Sequence, residues 1–343
     1  MKKITSIAPG KVIITGEHSV VYGEQALIGA VSLFVESEFV VGGDEVRVGF
    51  ENFSTKVSYK IDELRSFWRE AVDVWGVFSQ TKDDSGIREF QQNKHSVVKL
   101  SLGQFYDELG VCEGVDLKVS SNIPVSSGLG SSASVAVSIL GGLNEIFNIG
   151  WNKEDLNDRV YLVEKIIHGN PSGGDNSTVV FGGLLKFKKV NGEPVFKKIK
   201  SGRNTREIYL IQTGKPKEST GEMVHYVSGE IKKSSKSKLI SDLGKVSSKI
   251  IDSISKKLNT ELIKENNDLL NELGVVSKRA REVIDRIEDV GGAAKVCGAG
   301  GIKQGSGIVM VFHDDKDAIE YLFSDFNLPN YKVNVGINGW QIK

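Results

Sequence analysis

The sequence predicts an α+β protein built in two halves, and three observations predict it. β-branched runs crowd the first 60 residues and return near the end. Between them lie stretches with apolar residues at three- and four-residue spacing, the period of an amphipathic helix. Around residues 190–205 the chain turns polar and rich in turn formers (Asn191-Gly192-Glu193-Pro194, then Ser201-Gly202-Arg203-Asn204). That shift predicts an N-terminal half at 1–200 and a C-terminal half at 201–343.

Residues 4–7 and 12–15 read as strands interrupted at Pro9-Gly10, and 26–40 and 45–60 as further strands. Leu64, Trp68, Ala71, Val72 and Trp75 predict a helix over 62–79, and a second helix is expected at 86–108. Val115–Val119 is a strand running into Ser-Ser-Asn-Ile-Pro. A Gly/Ser loop at 126–132 follows, then the apolar run 133–147, a buried helix. Asn152 caps a helix over 152–168, with Glu154 and Asp155 in its first turn. Residues 178–190 look β-like around a Gly-Gly turn. The second half begins with a strand at 207–213 and stays mostly helical over 219–287, with a Lys/Ser-rich solvated face at 231–249. A glycine-rich loop at 297–307, a strand at 307–312, a helix at 315–323 and a strand at 331–336 complete it. No internal repeat is present.

Composition removes several function classes. Of 343 residues, 44 are Lys or Arg and 44 are Asp or Glu, so the formal net charge is zero and no basic field points to nucleic acid. Hydrophobic residues at 39% and charged residues at 26% fit a globular chain rather than a disordered or membrane-spanning one. The two cysteines, Cys112 and Cys297, make neither a disulfide framework nor a four-cysteine zinc site, and predict a reducing, cytoplasmic setting. Met1-Lys2-Lys3 leads into a short run that soon meets a glycine and a charge, so no signal peptide is expected.

Chemistry gathers at three places. The first is Pro124-Val-Ser-Ser127-Gly128-Leu129-Gly130-Ser131-Ser132-Ala133, between a strand and an apolar helix. Its glycines admit a ligand close to the backbone. Free N–H groups at a helix N-terminus suit a polyphosphate, and serine hydroxyls suit phosphate oxygen or magnesium. A plain capping turn is the competing reading. A dinucleotide fingerprint fits Gly128-x-Gly130-x-x-Ala133 on paper, but it needs a second strand ending in an acidic residue, and a helix follows instead. No G-x-x-x-x-G-K-[ST] run occurs, which sets aside the P-loop NTPases.

The second place is Ala8-Pro9-Gly10-Lys11 with Gly16-Glu17-His18 shortly after. Alone, such a lysine is usually on the surface and such a histidine an ordinary polar residue; their crowding into sixteen residues argues otherwise. The third is Glu164 with His168-Gly-Asn-Pro-Ser-Gly-Gly-Asp175-Asn176. Glu164 and His168 are four apart and share a helix face. Asp175 follows a Gly-Gly turn, which is either an Asx-type helix end or a rigid mount for a base. Together these residues are the parts phosphoryl transfer needs: a phosphate cradle, an oxygen site for Mg²⁺, a cation, and a carboxylate near an acceptor hydroxyl.

The runs APGK…GEH at 8–18, PVSSGLGSSAS at 124–134 and KVCGAGG at 295–301 resemble, in order, the three motifs of the GHMP kinase superfamily. Within it, Glu17-His18-Ser-Val-Val-Tyr-Gly23 and His168-Gly-Asn-Pro-Ser-Gly-Gly-Asp175-Asn176 look like the mevalonate kinase versions. The resemblance implies a two-domain GHMP kinase fold, with an N-terminal domain like the second domain of ribosomal protein S5 and a ferredoxin-like C-terminal domain. It implies a cytoplasmic ATP- and Mg²⁺-dependent enzyme that phosphorylates the 5-hydroxyl of mevalonate in isoprenoid biosynthesis. Small molecules are the expected partners, with no nucleic acid or membrane, and a homodimer is among the assemblies it allows. By the same resemblance Asp175 is the base and Lys11 the cation at the reacting hydroxyl. Pro124 and Ser127 to Ser132 bind ATP, and Ser132 and Glu164 hold Mg²⁺. Lys11, Glu17, His18, His168, Asp175, Thr220, Gly298 and Ala299 face the substrate.

Two departures stand out. Glu218 sits where the family carries arginine, leaving Lys215 or Lys217 as substitutes. The third motif runs on loosely as Gly298-Ala-Gly-Gly-Ile-Lys303-Gln-Gly-Ser-Gly307. The alternatives are a kinase of a related alcohol such as phosphomevalonate, which those lysines would suit, and a non-catalytic nucleotide-binding regulator on the same fold.

Overall fold

The computed structural model describes residues 2–83, 85–93, 95–125, 127–190, 193–199, 206–254 and 259–343. Strand β1 (Lys3–Thr15) runs antiparallel to β2 (Ala26–Val41) along its length, with a 3-10 turn at Ser19–Tyr22 between them. Strands β3 (Glu45–Phe50) and β4 (Thr55–Lys60) form a hairpin. Helices α1 (Ile61–Thr81), α2 (Ser85–Gln92) and α3 (Ser96–Leu109) lead to β5 (Val115–Ser121). Then come α4 (Ser131–Ile146), α5 (Lys153–His168), α6 (Gly174–Phe181) and the hairpin β6 (Leu184–Val190) and β7 (Glu193–Ile199). Beyond lie β8 (Arg206–Gln212), α7 (Thr220–Glu230), α8 (Leu239–Ser253), α9 (Thr260–Leu273) and α10 (Lys278–Asp289). The chain ends with β9 (Ala293–Val296), β10 (Ile308–Phe312), α11 (Lys316–Phe326), β11 (Asn330–Val335) and β12 (Gln341–Ile342).

Among the described residues these strands make one 12-stranded mixed sheet, with β2 at its centre. Its length lets it serve several partners: Ala26–Gly29 pairs with β6, Val31 with Val335 of β11, and Val35–Val41 with β5. The sheet thereby continues from the first half of the chain into the second, through β11, β8, β10 and β9. Period-two alternation divides its two faces. Ile208, Leu210, Ile308 and Met310 join the large core beneath α4, while Tyr209, Ile211, Val309 and Val311 join a second core with α7, α10 and α11.

Several expectations change. Pro9 does not break the first strand; a register shift between Pro9 and Gly10 absorbs the missing N–H as a bulge. The expected helix over 86–108 is two helices, because the Asn93 side chain accepts from the His95 amide and its carbonyl from the Ser96 amide, an Asx turn. Residues 178–181 are helical despite their β-branched character. Thr178, Val179 and Val180 are fully buried where α6 packs against α4 and β1, so burial overrides propensity. Glycines 182 and 183, both at positive φ, end that helix and start β6. Strand β7 occupies part of the polar stretch taken as a boundary. Its Pro194 is tolerated because β7 pairs only with β6 and is an edge. The turn residues Asn191-Gly192 and Ser201–Asn204, and with them the break at 200/201, lie outside the described residues. Strands β9 and β12 are too short for a periodicity to declare. Asn152 caps α5 as expected, accepting from the Asp155 amide while Asp155 returns a bond to the Asn152 amide.

Candidate active site

The bulge in β1 brings Lys11 to the Gly/Ser loop. Its amide donates to the Leu129 carbonyl at 2.9 Å, and the Leu129 side chain is buried in the core, so strand and loop are pinned together. Gly130 lies at φ 76°, and a Cβ there would come within 2.7 Å of the Lys11 Cγ. Only glycine permits both the left-handed turn and the lysine's passage beneath it. Gly128 has the same φ and open space where its side chain would be. Ser127 Oγ turns back onto the Pro124 carbonyl at 2.7 Å, and Ser134 Oγ bonds the Pro9 and Gly130 carbonyls at 2.7 and 2.9 Å. Gly130 is the N-cap of α4, and no side chain caps that terminus. The amides at Ser131 and Ser132 thus face outward from the positive end of a 16-residue helix, an arrangement that binds phosphate.

Lys11 is 5% exposed, and its Nζ lies 3.0 Å from Asp175 Oδ1. Asp175 stands in the first turn of α6, presented by Gly173 at φ 79°. Behind it is Glu164, buried on α5. Its Oε2 is 3.7 Å from His168 Nε2, which lies 3.1 Å from Ser132 Oγ. Glu164 Oε1 is buried with no hydrogen-bond partner. Burial raises the carboxyl's pKa, Asp175 adds to the rise, and His168, Ser132 and Lys11 oppose it. An unpartnered buried carboxylate oxygen beside a serine hydroxyl and a second carboxylate is an oxygen-donor set of the kind Mg²⁺ takes.

The other end of the site joins residues far apart in sequence. Glu17, 3% exposed, pairs with Lys295 of β9, which is fully buried and also donates to the Val296 carbonyl at 2.8 Å. Burial raises the Glu17 pKa against the opposing pull of Lys295 and the Gly298 amide. Next to it His18 adopts φ 58°, and its Nε2 lies 3.0 Å from the Ala299 carbonyl. Burial holds the imidazole pKa below its usual value. Gly298 turns the chain at φ 81°.

Glu218 faces the third motif: its Oε2 accepts from the Ile302 amide at 3.3 Å, and its Oε1 is buried without a partner. The looseness of that motif is only apparent. Ser306 Oγ donates to Ser277 Oγ at 3.0 Å, the Ser306 amide donates to Thr213 Oγ1 at 3.2 Å, and Thr213 Oγ1 donates to the Gly307 carbonyl at 3.0 Å. Thr220 opens α7 and is exposed, with Ser219 as the cap. Lys215, Lys217 and Lys303 are exposed.

The structure therefore gathers Lys11, Asp175, Ser132, Glu164 and His168 at one place, and Glu17, His18, Gly298 and Ala299 at another. Sequence reasoning missed Lys295 as a functional candidate. Its signal was present: a lysine inside the apolar run Ala293–Val296 needs a buried partner.

The chain is similar to known proteins in both sequence and fold. The GHMP kinases N terminal domain matches residues 96–183. A mevalonate kinase from Pyrococcus horikoshii is 29% identical over 320 residues, covering 88% of this chain and 87% of its own. The structure of the Methanococcus jannaschii mevalonate kinase superposes with a TM-score of 0.80 at 23% identity, covering 98% of this chain and 99% of that one. The L. major mevalonate kinase in complex with R-mevalonate gives 0.72 at 21% identity over 97% and 96% of the two chains. The matched domain, the shared architecture and the full-length likeness all point the same way: the chain carries a GHMP kinases N terminal domain match and is similar along its length to mevalonate kinases.

Proposed function

We propose that the chain is a mevalonate kinase, transferring the γ-phosphoryl group of ATP to the 5-hydroxyl of mevalonate. The observation that carries the chemistry is the Lys11–Asp175 pair, 3.0 Å apart, set between the uncapped N-terminus of α4 and the Ser132–Glu164 donor pair. The substrate assignment rests on the full-length mevalonate kinase relatives and on the His168–Asn176 run.

The amides around Gly128–Ser132 hold the β- and γ-phosphates, and the α4 dipole favours their charge. Ser132 and Glu164 would hold Mg²⁺, which supplies charge neutralisation on the phosphates when bound. Asp175 accepts the proton of the 5-hydroxyl as its oxygen forms the new bond to phosphorus. The electron pair of the broken bond leaves with ADP. Lys11 stays charged, orients Asp175, and stabilises negative charge on the transferred group. His18, with the Gly298–Ala299 backbone, bounds the substrate end.

The phosphomevalonate alternative needs cations aimed at a second phosphate, and the lysines that would serve it, Lys215, Lys217 and Lys303, are exposed. A regulator would tolerate loss of base or metal ligand, yet Lys11, Asp175, Ser132 and Glu164 are all retained. The test is an ADP-release assay with Mg-ATP against mevalonate, 5-phosphomevalonate, galactose and homoserine, with phosphorus NMR locating the product. Turnover of mevalonate at the 5-hydroxyl is expected. Turnover of phosphomevalonate in its place, or of none, overturns the assignment.

A further inference from the structure

The reaction described above does not use Lys295, yet a charged side chain in the interior is costly to place. It is fully buried, and so is its partner Glu17. A buried ion pair is poor value for stability alone, because desolvation of both charges offsets their attraction, and an apolar pair of similar volume often serves the fold as well. What such a pair does supply is direction: a fixed distance and angle between two particular backbones.

Those backbones are informative. Glu17 precedes His18, a non-glycine residue held at φ 58°. Such a conformation is strained and persists only where its surroundings over-determine it. Lys295 lies in β9, four residues before Ala299, the partner of His18. Consecutive residues of the first motif are thus tied to the third motif at two points, one on either side of the turn at Gly298. One tie is a charged pair and the other is a bond from the imidazole Nε2 to the Ala299 carbonyl at 3.0 Å. The tie joins segments 278 residues apart, across the two halves of the chain. Neither the phosphate loop nor the Lys11–Asp175 pair belongs to it.

We propose that Lys295 is a positioning residue for the acceptor alcohol: by holding Glu17 it sets strained His18 and the 298–300 loop at the spacing that admits the substrate. Glu17 acts through Lys295 rather than as a direct substrate ligand. This rests on the mevalonate kinase reading, because it needs an acceptor bound between these segments.

Three variants test it: Lys295→Met, Glu17→Gln, and the two combined. Each single change strands a polar or charged group in the interior and lowers the unfolding temperature. The combined change removes both charges and is expected to restore most of that loss. The Michaelis constants separate positioning from folding. All three variants, the restored double variant included, are expected to raise KM for mevalonate about tenfold or more while KM for ATP stays within about twofold. A double variant that regains both the unfolding temperature and the wild-type mevalonate KM makes the pair purely structural and overturns the proposal. So does a KM change shared equally by ATP. If the single variants do not fold, the double variant carries the test alone. A wild type that turns over a different alcohol overturns the substrate reading, and the same KM comparison is then made on that alcohol. Turnover of no alcohol overturns both.

Discussion

The phosphate end of the site and the acceptor end are built by opposite strategies. At the phosphate end, residues 124–132 are contiguous, α5 contributes Glu164 and His168 four residues apart, and Asp175 follows seven residues later. The only distant contributor is Lys11, pinned by one backbone bond to Leu129. At the acceptor end each contact joins distant segments. Glu17 meets Lys295, His18 meets Ala299, and Glu218 meets Ile302, each pair bridging 84 to 281 residues. The lesson is physical. A polyphosphate is recognised by backbone amides at a helix terminus, a local structure that any nucleotide kinase of this fold can reuse. An acceptor is recognised by the shape between two segments, which only the tertiary fold can set.

The largest effect is expected from the phosphate end. Asp175→Asn keeps the shape but removes the base and the charge that faces Lys11 at 3.0 Å. A fall in kcat of about a thousandfold is expected, with ATP affinity nearly unchanged, measured by steady-state kinetics and by nucleotide titration. A variant with wild-type kcat removes Asp175 from the mechanism and erases the distinction between the two ends. Gly130→Ala tests the same end through its backbone. Its Cβ would meet Lys11 Cγ at 2.7 Å in a left-handed conformation, so both the loop and the lysine must move. Losses in both kcat and ATP affinity are expected, in contrast to the kcat-only loss of Asp175→Asn.

A smaller and more selective effect is expected from the metal donors. Ser132→Ala and Glu164→Gln remove one oxygen donor and one negative charge, respectively. The Mg²⁺ concentration for half-maximal rate is expected to rise by about tenfold in Glu164→Gln and less in Ser132→Ala. Unchanged magnesium titrations would refute the donor assignment. Removing Mg²⁺ with chelator is expected to abolish turnover while leaving the unfolding temperature of the nucleotide-free protein unchanged, since the donors belong to no structural metal centre among the described residues.

How much of this was legible follows from the same contrast. That Lys11, Ser132, Glu164 and Asp175 come together was legible because each sits in a short run whose glycines and serines have a chemical reason to be there. The helix α5 was readable to its cap because Asn152 and Asp155 form a local box. Pro9 inside β1 was not, because a bulge is licensed by the partner strand, and β2 is not local to it. Residues 178–181 of α6 read as strand because Val179 and Val180 favour strand until α4 and β1 bury them. The acceptor end was hardest. Glu218 looked like a missing cation, yet in the fold its carboxylate anchors the Ile302 amide, a role for which a lysine or arginine has no acceptor atom. Glu218→Gln keeps an acceptor and is expected to raise mevalonate KM only twofold to about fivefold, whereas Glu218→Arg is expected to disturb the loop more than it helps the substrate.

The smallest expected effect concerns His18 and pH. Burial holds the folded imidazole below its ordinary pKa of 6.5, and the Ala299 carbonyl opposes that shift only in part. The unfolded chain therefore takes up the proton first. Stability from the neutral, buried ring is fully present above pH 6.5 and is lost as pH falls below it, down to the lower folded value. Glu17 and Glu164 work in the opposite sense. Their raised folded pKa values give stability that is present below the ordinary 4.5 and lost as pH rises through the folded values. The raw pH profile mixes these trends, so the informative quantity is a difference. Unfolding temperatures of wild type and His18→Gln are compared at pH 7.5 and 5.5. Wild type is expected to lose more on acidification than the variant, because glutamine can bond Ala299 but cannot titrate. Equal losses would mean that the ring is neutral for no reason connected with folding. The His18–Ala299 contact would then act through its 281-residue span and not through titration, which still sets the acceptor end apart from the locally built phosphate end.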